Sequence, residues 1–398
     1  MVKKIMAVFV LFLSGGEAAH SFDMSDISIR GFASTGYIVS SDNNFLLPSK
    51  DGSFEFNEVG INFTTSLAEN IQVGLQFYSF DLGDIGNNNV KLDWAFLDYQ
   101  LKDSLGIRLG KIKAPVGLYN EIQDYDMLRT SILLPQGVLY YKYFRETVIS
   151  CHGADIYGNI SLSKAGNLRY DAFVGTMNIE DDGGVAKYFS SESTNYKSAK
   201  VDYIAGGRLK WNTPLNGLLL SATYVCADMT YNLVSSTAPI DIKVEVPYMH
   251  NYYFSAEYNI GDLTAAAEYQ MRKSDRTVSI DMSQLGLPNS EPTESEINNE
   301  NWFGLLSYRF TDWFEAGAYY SVYYSDTNDR DGSALEPNYS GWQKDTTLSA
   351  RFDITDFWLV KLEVHFMDGA ALCLYKDNPE GYDDQNWTLF AVKTTFNF

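Results

Sequence analysis

The stretch NWTLFAVKTTFNF, residues 386–398, sets Phe390, Val392, Phe396 and Phe398 on one parity with Thr394 among them, and Lys393, Thr395 and Asn397 on the other. Alternation with a period of two marks a strand with one apolar and one polar face. An apolar face that runs out to aromatic residues needs apolar surroundings, either a protein core or lipid. The rest of the chain decides between them.

The same rhythm runs backwards from there. WLVKLEVHF sets Trp358, Val360, Leu362, Val364 and Phe366 against Lys361, Glu363 and His365. Further upstream, Leu263, Ala265, Ala267, Tyr269 and Met271 oppose Thr264, Glu268, Gln270 and Arg272. Sixteen such segments are expected, the first at 27–39 and the last at 386–398, with 200–211, 217–229, 248–260, 262–273 and 301–310 among them. Tight turns such as KDS, IGD and TD alternate with long polar connections such as 179–198 and 274–300. The polar faces carry Arg208, Lys210, Glu257, Glu268, Arg272, Arg351, Lys361, Glu363 and His365, which a dry core would not tolerate and a water-filled lumen would. Lipid offers no hydrogen bonds, so strands that cross it must close into a ring. The expectation is all-β: a 16-stranded antiparallel transmembrane β-barrel with an inward-folded third loop, its last strand closing on the first through Phe396 and Phe398. Trp211, Phe310, Trp313, Phe357 and Trp358 beside the short turns, and Tyr252, Trp302, Tyr324 and Trp387 on the loop side, are expected to form two interfacial belts.

Composition agrees. The 398 residues include 28 Tyr, 24 Phe and 30 Gly but only 10 Pro, which suits many strands and turns. A net charge of −21 argues against a nucleic-acid partner. The opening MVKKIMAVFVLFLSGGEAAHS has a basic start, a short apolar run and small residues after it. That pattern reads as a signal peptide over 1–18, with cleavage as late as 21, leaving 19–398 as a single domain. Cys151, Cys226 and Cys373 have no close spacing and are expected as solitary thiols.

One connection differs from the rest. Residues 114–147 are rich in Leu, Ile, Tyr and Phe rather than Ser, Asn and Asp, so this loop should be buried inside the ring. The run R-x-G-K-x-K-x-P-x-G-x-Y-N-E (Arg108, Gly110, Lys111, Lys113, Pro115, Gly117, Tyr119, Asn120, Glu121) leads into it. R-x-S-I-x-L-P-Q (Arg129, Ser131, Ile132, Leu134, Pro135, Gln136) follows. Together they resemble Gram-negative outer-membrane porin-like proteins related to the phosphate-selective porin O/P type. The resemblance implies a homotrimeric channel in the bacterial outer membrane, bedded in lipid and lipopolysaccharide, passing small hydrophilic solutes or ions through a constriction at this loop. It also implies that a terminal Phe is read by the outer-membrane insertion machinery. Arg108, Lys111, Lys113, Tyr119, Glu121, Asp124, Asp126, Arg129, Lys142 and Arg145 are the candidate constriction residues, divided evenly between lining the channel and pinning the loop. The dense Arg and Lys ladder of the phosphate-selective members is missing, so that selectivity does not carry over.

Other chemistries find little footing. His152, His250 and His365 lack a neighbouring Ser or Asp signature, so no catalytic residues are expected. TNDRDG, Thr327–Gly332, lacks the closing carboxylate of a calcium loop, since its twelfth position is Asn338. No metal or cofactor is expected. The alternatives to a channel are a non-conducting structural or adhesive barrel and, behind it, a barrel enzyme.

Overall fold

The computed structural model describes residues 26–137 and 139–398. The expected signal segment, 1–18, lies outside the described residues, as does Val138. The strands are β1 (Ser28–Ser40), β2 (Phe56–Ala68), β3 (Ile71–Leu82), β4 (Lys91–Lys102), β5 (Leu105–Lys113), β6 (Ser150–Ser161), β7 (Asn167–Thr176) and β8 (Thr194–Asn212). They continue as β9 (Leu218–Ser235), β10 (Asp241–Ile260), β11 (Leu263–Asp281), β12 (Thr293–Thr311), β13 (Phe314–Tyr324), β14 (Trp342–Thr355), β15 (Trp358–Gly369) and β16 (Asn386–Asn397). Two short helices, α1 (Arg145–Val148) and α2 (Gly184–Phe189), sit in connections. Each strand pairs antiparallel with its sequence neighbours, and β1 pairs with β16, so the sheet closes on itself. The sixteen-stranded antiparallel barrel read from the alternation is the fold observed.

Polarity is inverted relative to a water-soluble protein. Leu348, Leu362, Phe366 and Phe390 point outward and are about half exposed, while their neighbours Thr347, Lys361, Glu363, His365 and Lys393 point inward. No described helix is long and apolar enough to cross a membrane. A closed sheet with an apolar exterior meets that need with strands instead. Beside the short turns, Phe310, Trp313, Phe314 and Phe352 pack ring on ring at 5.3–6.3 Å.

Two expectations change. Trp387 was expected in the outer belt, but it shares the inward parity of Leu389 and Ala391 and is 2% exposed. Its ring lies against Phe45 and its Nε1 donates to the Gly369 carbonyl. The second concerns β8 to β12, which run 18 to 20 residues apiece and extend well past the expected ends. Much of the connection expected over 274–300 is therefore strand, since β11 continues to Asp281 and β12 begins at Thr293. The reason shows in β9. Leu220 and Tyr224 face outward, but beyond them Val225, Ala227, Met229, Tyr231 and Leu233 are all buried and inward, with Asp228, Thr230 and Asn232 on the outside. Above the lipid, water surrounds the wall, so the apolar face moves indoors and the strand keeps pairing.

The seam between β1 and β16 extends to Phe398. Phe398 donates its amide to the Gly31 carbonyl (3.0 Å), and its own carbonyl accepts the Gly31 amide (2.8 Å). A Cβ on Gly31 would stand 2.5 Å from the Phe398 ring, so glycine makes the room that the ring fills. Deleting Phe398, or Gly31→Leu, should sharply lower the yield of heat-modifiable barrel on gels. Normal yield from both would show that this rung is dispensable.

Candidate functional site

The β5–β6 connection is held from most of the circumference of the ring. Glu363 on β15 accepts the amides of Ile132 (2.7 Å) and Leu133 (2.9 Å), and Glu268 on β11 accepts that of Leu118 (2.8 Å). Gln270 on β11 accepts the Leu139 amide at 3.2 Å. Arg351 on β14 donates to the Met127 carbonyl at 2.6 Å, and Tyr119 donates its hydroxyl to Glu257 on β10 at 2.9 Å. Thr130 bonds Glu315 on β13. A segment bonded to the inward faces of so many strands crosses the interior. Its own side chains explain why: Ile132, Leu133, Leu139, Tyr140, Tyr141 and Tyr143 are each at most 2% exposed.

Charge pairs complete the clasp. Asp126 is fully buried. It meets Arg129 at 2.8 Å and Lys393 at 2.8 Å, accepts a bond from Thr395 at 2.9 Å, and lies 3.8 Å from Lys361. Lys361 also donates to the carbonyls of Asp126 (2.7 Å) and Ser131 (2.9 Å). Glu58 on β2 joins Lys142 of the loop (2.7 Å) to Lys393 of the wall (2.6 Å). Arg145 forks onto Asp124 (2.7 Å) and Asp93 (2.9 Å) while its guanidinium lies 3.8 Å over the Tyr78 ring. Glu121 pairs with Arg208 at 2.6 Å, which also holds Asp171 at 3.0 Å. Burial alone would raise the carboxyls of Asp124 and Asp126. Arg145 holds the first below its usual value, and Lys393, Lys361 and Arg129 hold the second well below the carboxylate range.

These positions decide where each candidate stands. Lys113, Tyr119, Glu121, Asp124, Asp126, Arg129, Lys142 and Arg145 all engage the loop, since Lys113 donates to the Glu121 carbonyl at 2.7 Å. Arg108 is a wall residue, tied to Asp98 (2.9 Å) and Asp155 (3.3 Å). Lys111 stands at the edge of the loop. It is paired with Ala95 and His152, its Nζ donates to the Leu92 carbonyl, and it borders a cavity shared with Lys142 and Arg145 of the loop. Arg208, Lys210, Glu257, Glu268, Arg272, Arg351, Lys361, Glu363 and His365 occupy inward positions of their strands. His365 is not solvated as expected, being fully buried between Asp345 and Glu363, each at 3.0 Å. Asp329 of the candidate calcium loop is occupied by Ser333 and the Ala334 amide. Glu58, Asp93, Asp171 and Lys393 were not singled out beforehand, although their inward parity on charged faces was the available signal.

Glu146 in α1 ties the loop to the next connection, accepting the Val185 amide of α2 at 3.1 Å. Burial pushes its carboxyl up to about 7, with Asp182 adding and the Val185 amide, Lys91 and Arg145 opposing. A carboxyl raised in the folded state by burial favours docking while protonated, so the docking of α2 against the loop should weaken as pH rises from about 4.5 through about 7. Exchange protection of the Val185 amide, corrected for intrinsic rate, should fall across that window, and Glu146→Gln should flatten the profile. An unchanged profile in the variant would assign the pH dependence to another group.

Two of the cavities beside the loop lie on either side of Leu134 and Leu139. One of about 280 Å³ near the short turns is bordered by Tyr119, Arg129, Glu257 and Glu315. The other, about 520 Å³, opens among the long connections. Leu134 borders the first, and Gly137 and Leu139 border the second.

No protein-family model matches the chain. An uncharacterized protein of Aquifex aeolicus is 24% identical over 208 residues, which covers 50% of this chain and 44% of that protein. The chain thus matches less than half the length of that relative. Among solved structures, Pseudomonas putida OprB superposes with a TM-score of 0.58 at 9% identity, covering 94% of each chain. OmpF of Salmonella typhi, in a complex with daunomycin, gives 0.56 at 13%, covering 94% of this chain and 97% of the other. The anion-selective porin of Comamonas acidovorans gives 0.55 at 13%, covering 94% and 99%. At such identities the likeness is one of fold alone, that of a closed sixteen-stranded antiparallel barrel.

Proposed function

We propose that the barrel sits in a bacterial outer membrane and forms a water-filled channel for passive diffusion of small hydrophilic solutes or ions. The observation that carries this is a closed ring whose interior loop is clasped by buried ion pairs, an arrangement that holds a fixed constriction. In this reading Tyr119, Arg129, Glu257 and Glu315 are the polar groups a solute meets at the neck. Asp124, Asp126, Lys142, Arg145, Lys361, Glu363 and Lys393 act as clamps. Most loop charges are matched within pairs, which favours weak selectivity over the anion selectivity named for the Comamonas protein. A homotrimer in contact with lipid and lipopolysaccharide follows from the motif resemblance. Catalysis gains no support from His365, both of whose ring nitrogens face carboxylates.

Planar-bilayer recording tests the reading: stable conductance steps with a small reversal potential in a salt gradient are expected. A second reading, a non-conducting barrel, is favoured by the position of Leu134, Gly137 and Leu139 between the two cavities. Silent bilayers from correctly folded protein would select it.

A further inference from the structure

We propose that the outer cavity is a binding site for an amphipathic anion, a molecule with a medium-length apolar body and one carboxylate. This deepens the channel reading by naming a class of solute, and it rests on that reading only for the idea that the bound molecule goes on to cross.

The lining is unusual for a wet barrel. Val225, Met229, Tyr231, Val244 and Val246 line it from the wall, and Phe189 of α2 faces them. At about 520 Å³ the space lies within the ~300–1,000 Å³ typical of small-molecule sites. Apolar walls around an unfilled space of this size leave surface that an apolar ligand would remove from water.

Two guanidinium groups on β11 open onto the same space, Arg272 and Arg276. Among the described residues neither is in an ion pair, whereas Arg108, Arg129, Arg145, Arg208 and Arg351 each meet a carboxylate. Arg272 is oriented through Nε by the amide oxygen of Asn251 (2.9 Å), and Arg276 through Nε by the hydroxyl of Ser295 (2.9 Å). Neutral acceptors thus fix the two forks, and the carboxylates that border the same cavity, Glu296, Asp326 and Asp329, form no ion pair with them among the described residues. Of the acidic side chains bordering the cavity, Asp329 is held by Ser333 and Ala334, Asp326 by the Asn328 amide, and Glu296 by Asn298. A planar fork beside an apolar wall fits a carboxylate with a hydrocarbon body better than a bare ion or a sugar.

The test is calorimetric titration of octanoate, acetate and octylammonium into protein held in lipid nanodiscs, with the heats from protein-free nanodiscs subtracted. After that subtraction octanoate should show saturable binding, and acetate and octylammonium should show none. The double replacement Arg272→Gln with Arg276→Gln should weaken octanoate by about tenfold or more. Val244→Glu on β10, the strand paired with β11, should weaken it comparably. Heat-modifiable migration of each variant verifies the fold, and a misfolded variant is replaced by Arg272→Lys with Arg276→Lys, which should retain part of the affinity. Equal binding of octanoate and octylammonium, binding indifferent to the arginines, or no binding at all would overturn the site. Binding needs no current, so a protein that takes octanoate but does not conduct refutes the channel and leaves the site standing.

Discussion

Asp126→Ala should release the interior loop while leaving the barrel closed. Its carboxylate is fully buried and serves Arg129, Lys393 and Thr395, with Lys361 at 3.8 Å. Removing it leaves two buried ammonium groups facing one another, with Glu58 the carboxylate left to Lys393 and only backbone carbonyls for Lys361. Breaking a buried pair in this way costs about 3–5 kcal/mol, because the cations remain desolvated. The loss falls on the loop, since the ladder between β15 and β16 does not depend on that side chain. Limited proteolysis should therefore cut within 120–144, and single-channel conductance should rise, while heat-modifiable migration persists. The pH dependence has a defined sign. A carboxyl depressed in the folded state contributes stability above its unfolded value and loses it only as pH falls through the depressed one, so mild acid should leave this anchor in place. If loop protection and conductance both match the parent protein, Asp126 is not the clamp.

Legibility differed between wall and loop for a physical reason. A strand declares itself locally, because each residue's facing follows from its parity, and Trp358 to Phe366 sufficed to orient β15. The limits of that rule appear in β9, where the apolar set changes parity between Tyr224 and Val225. Alternation persists there, but the surroundings of the outer face change from lipid to water, so the strand looked shorter than it is. The same switch hid the apolar vestibule, whose wall residues belong to the stretch misread as strand end and loop. Burial of the 114–147 tract was legible from its hydrophobicity. Its anchors were not, because Asp126 with Lys393 and Glu58 with Lys142 are ion pairs between distant parts of the chain.

Leu362 and Glu363 are adjacent, and their replacement should separate two kinds of failure. Leu362 points outward, paired with Ala350 and Val392 in an apolar band, and is 39% exposed. Arginine there would face the hydrocarbon near mid-strand and cost ~2–4 kcal/mol of barrel stability. The inward face is no freer to change. Glu363 is 1% exposed and accepts bonds from Ile132, Leu133, Ser349 and His365. Glu363→Ala orphans two buried loop amides at ~1–3 kcal/mol each, yet touches no rung of the sheet. Leu362→Arg should therefore lower the fraction of folded barrel recovered in vesicles and shift the urea midpoint down. Glu363→Ala should fold to normal yield and show its damage as a loosened loop and altered conductance. Leu348→Arg, outward on β14 and 51% exposed, should behave like the first. Equal loss of assembly from Leu362→Arg and Glu363→Ala would mean that loop docking and barrel closure are one cooperative event, and the separation of clamp from wall would fall.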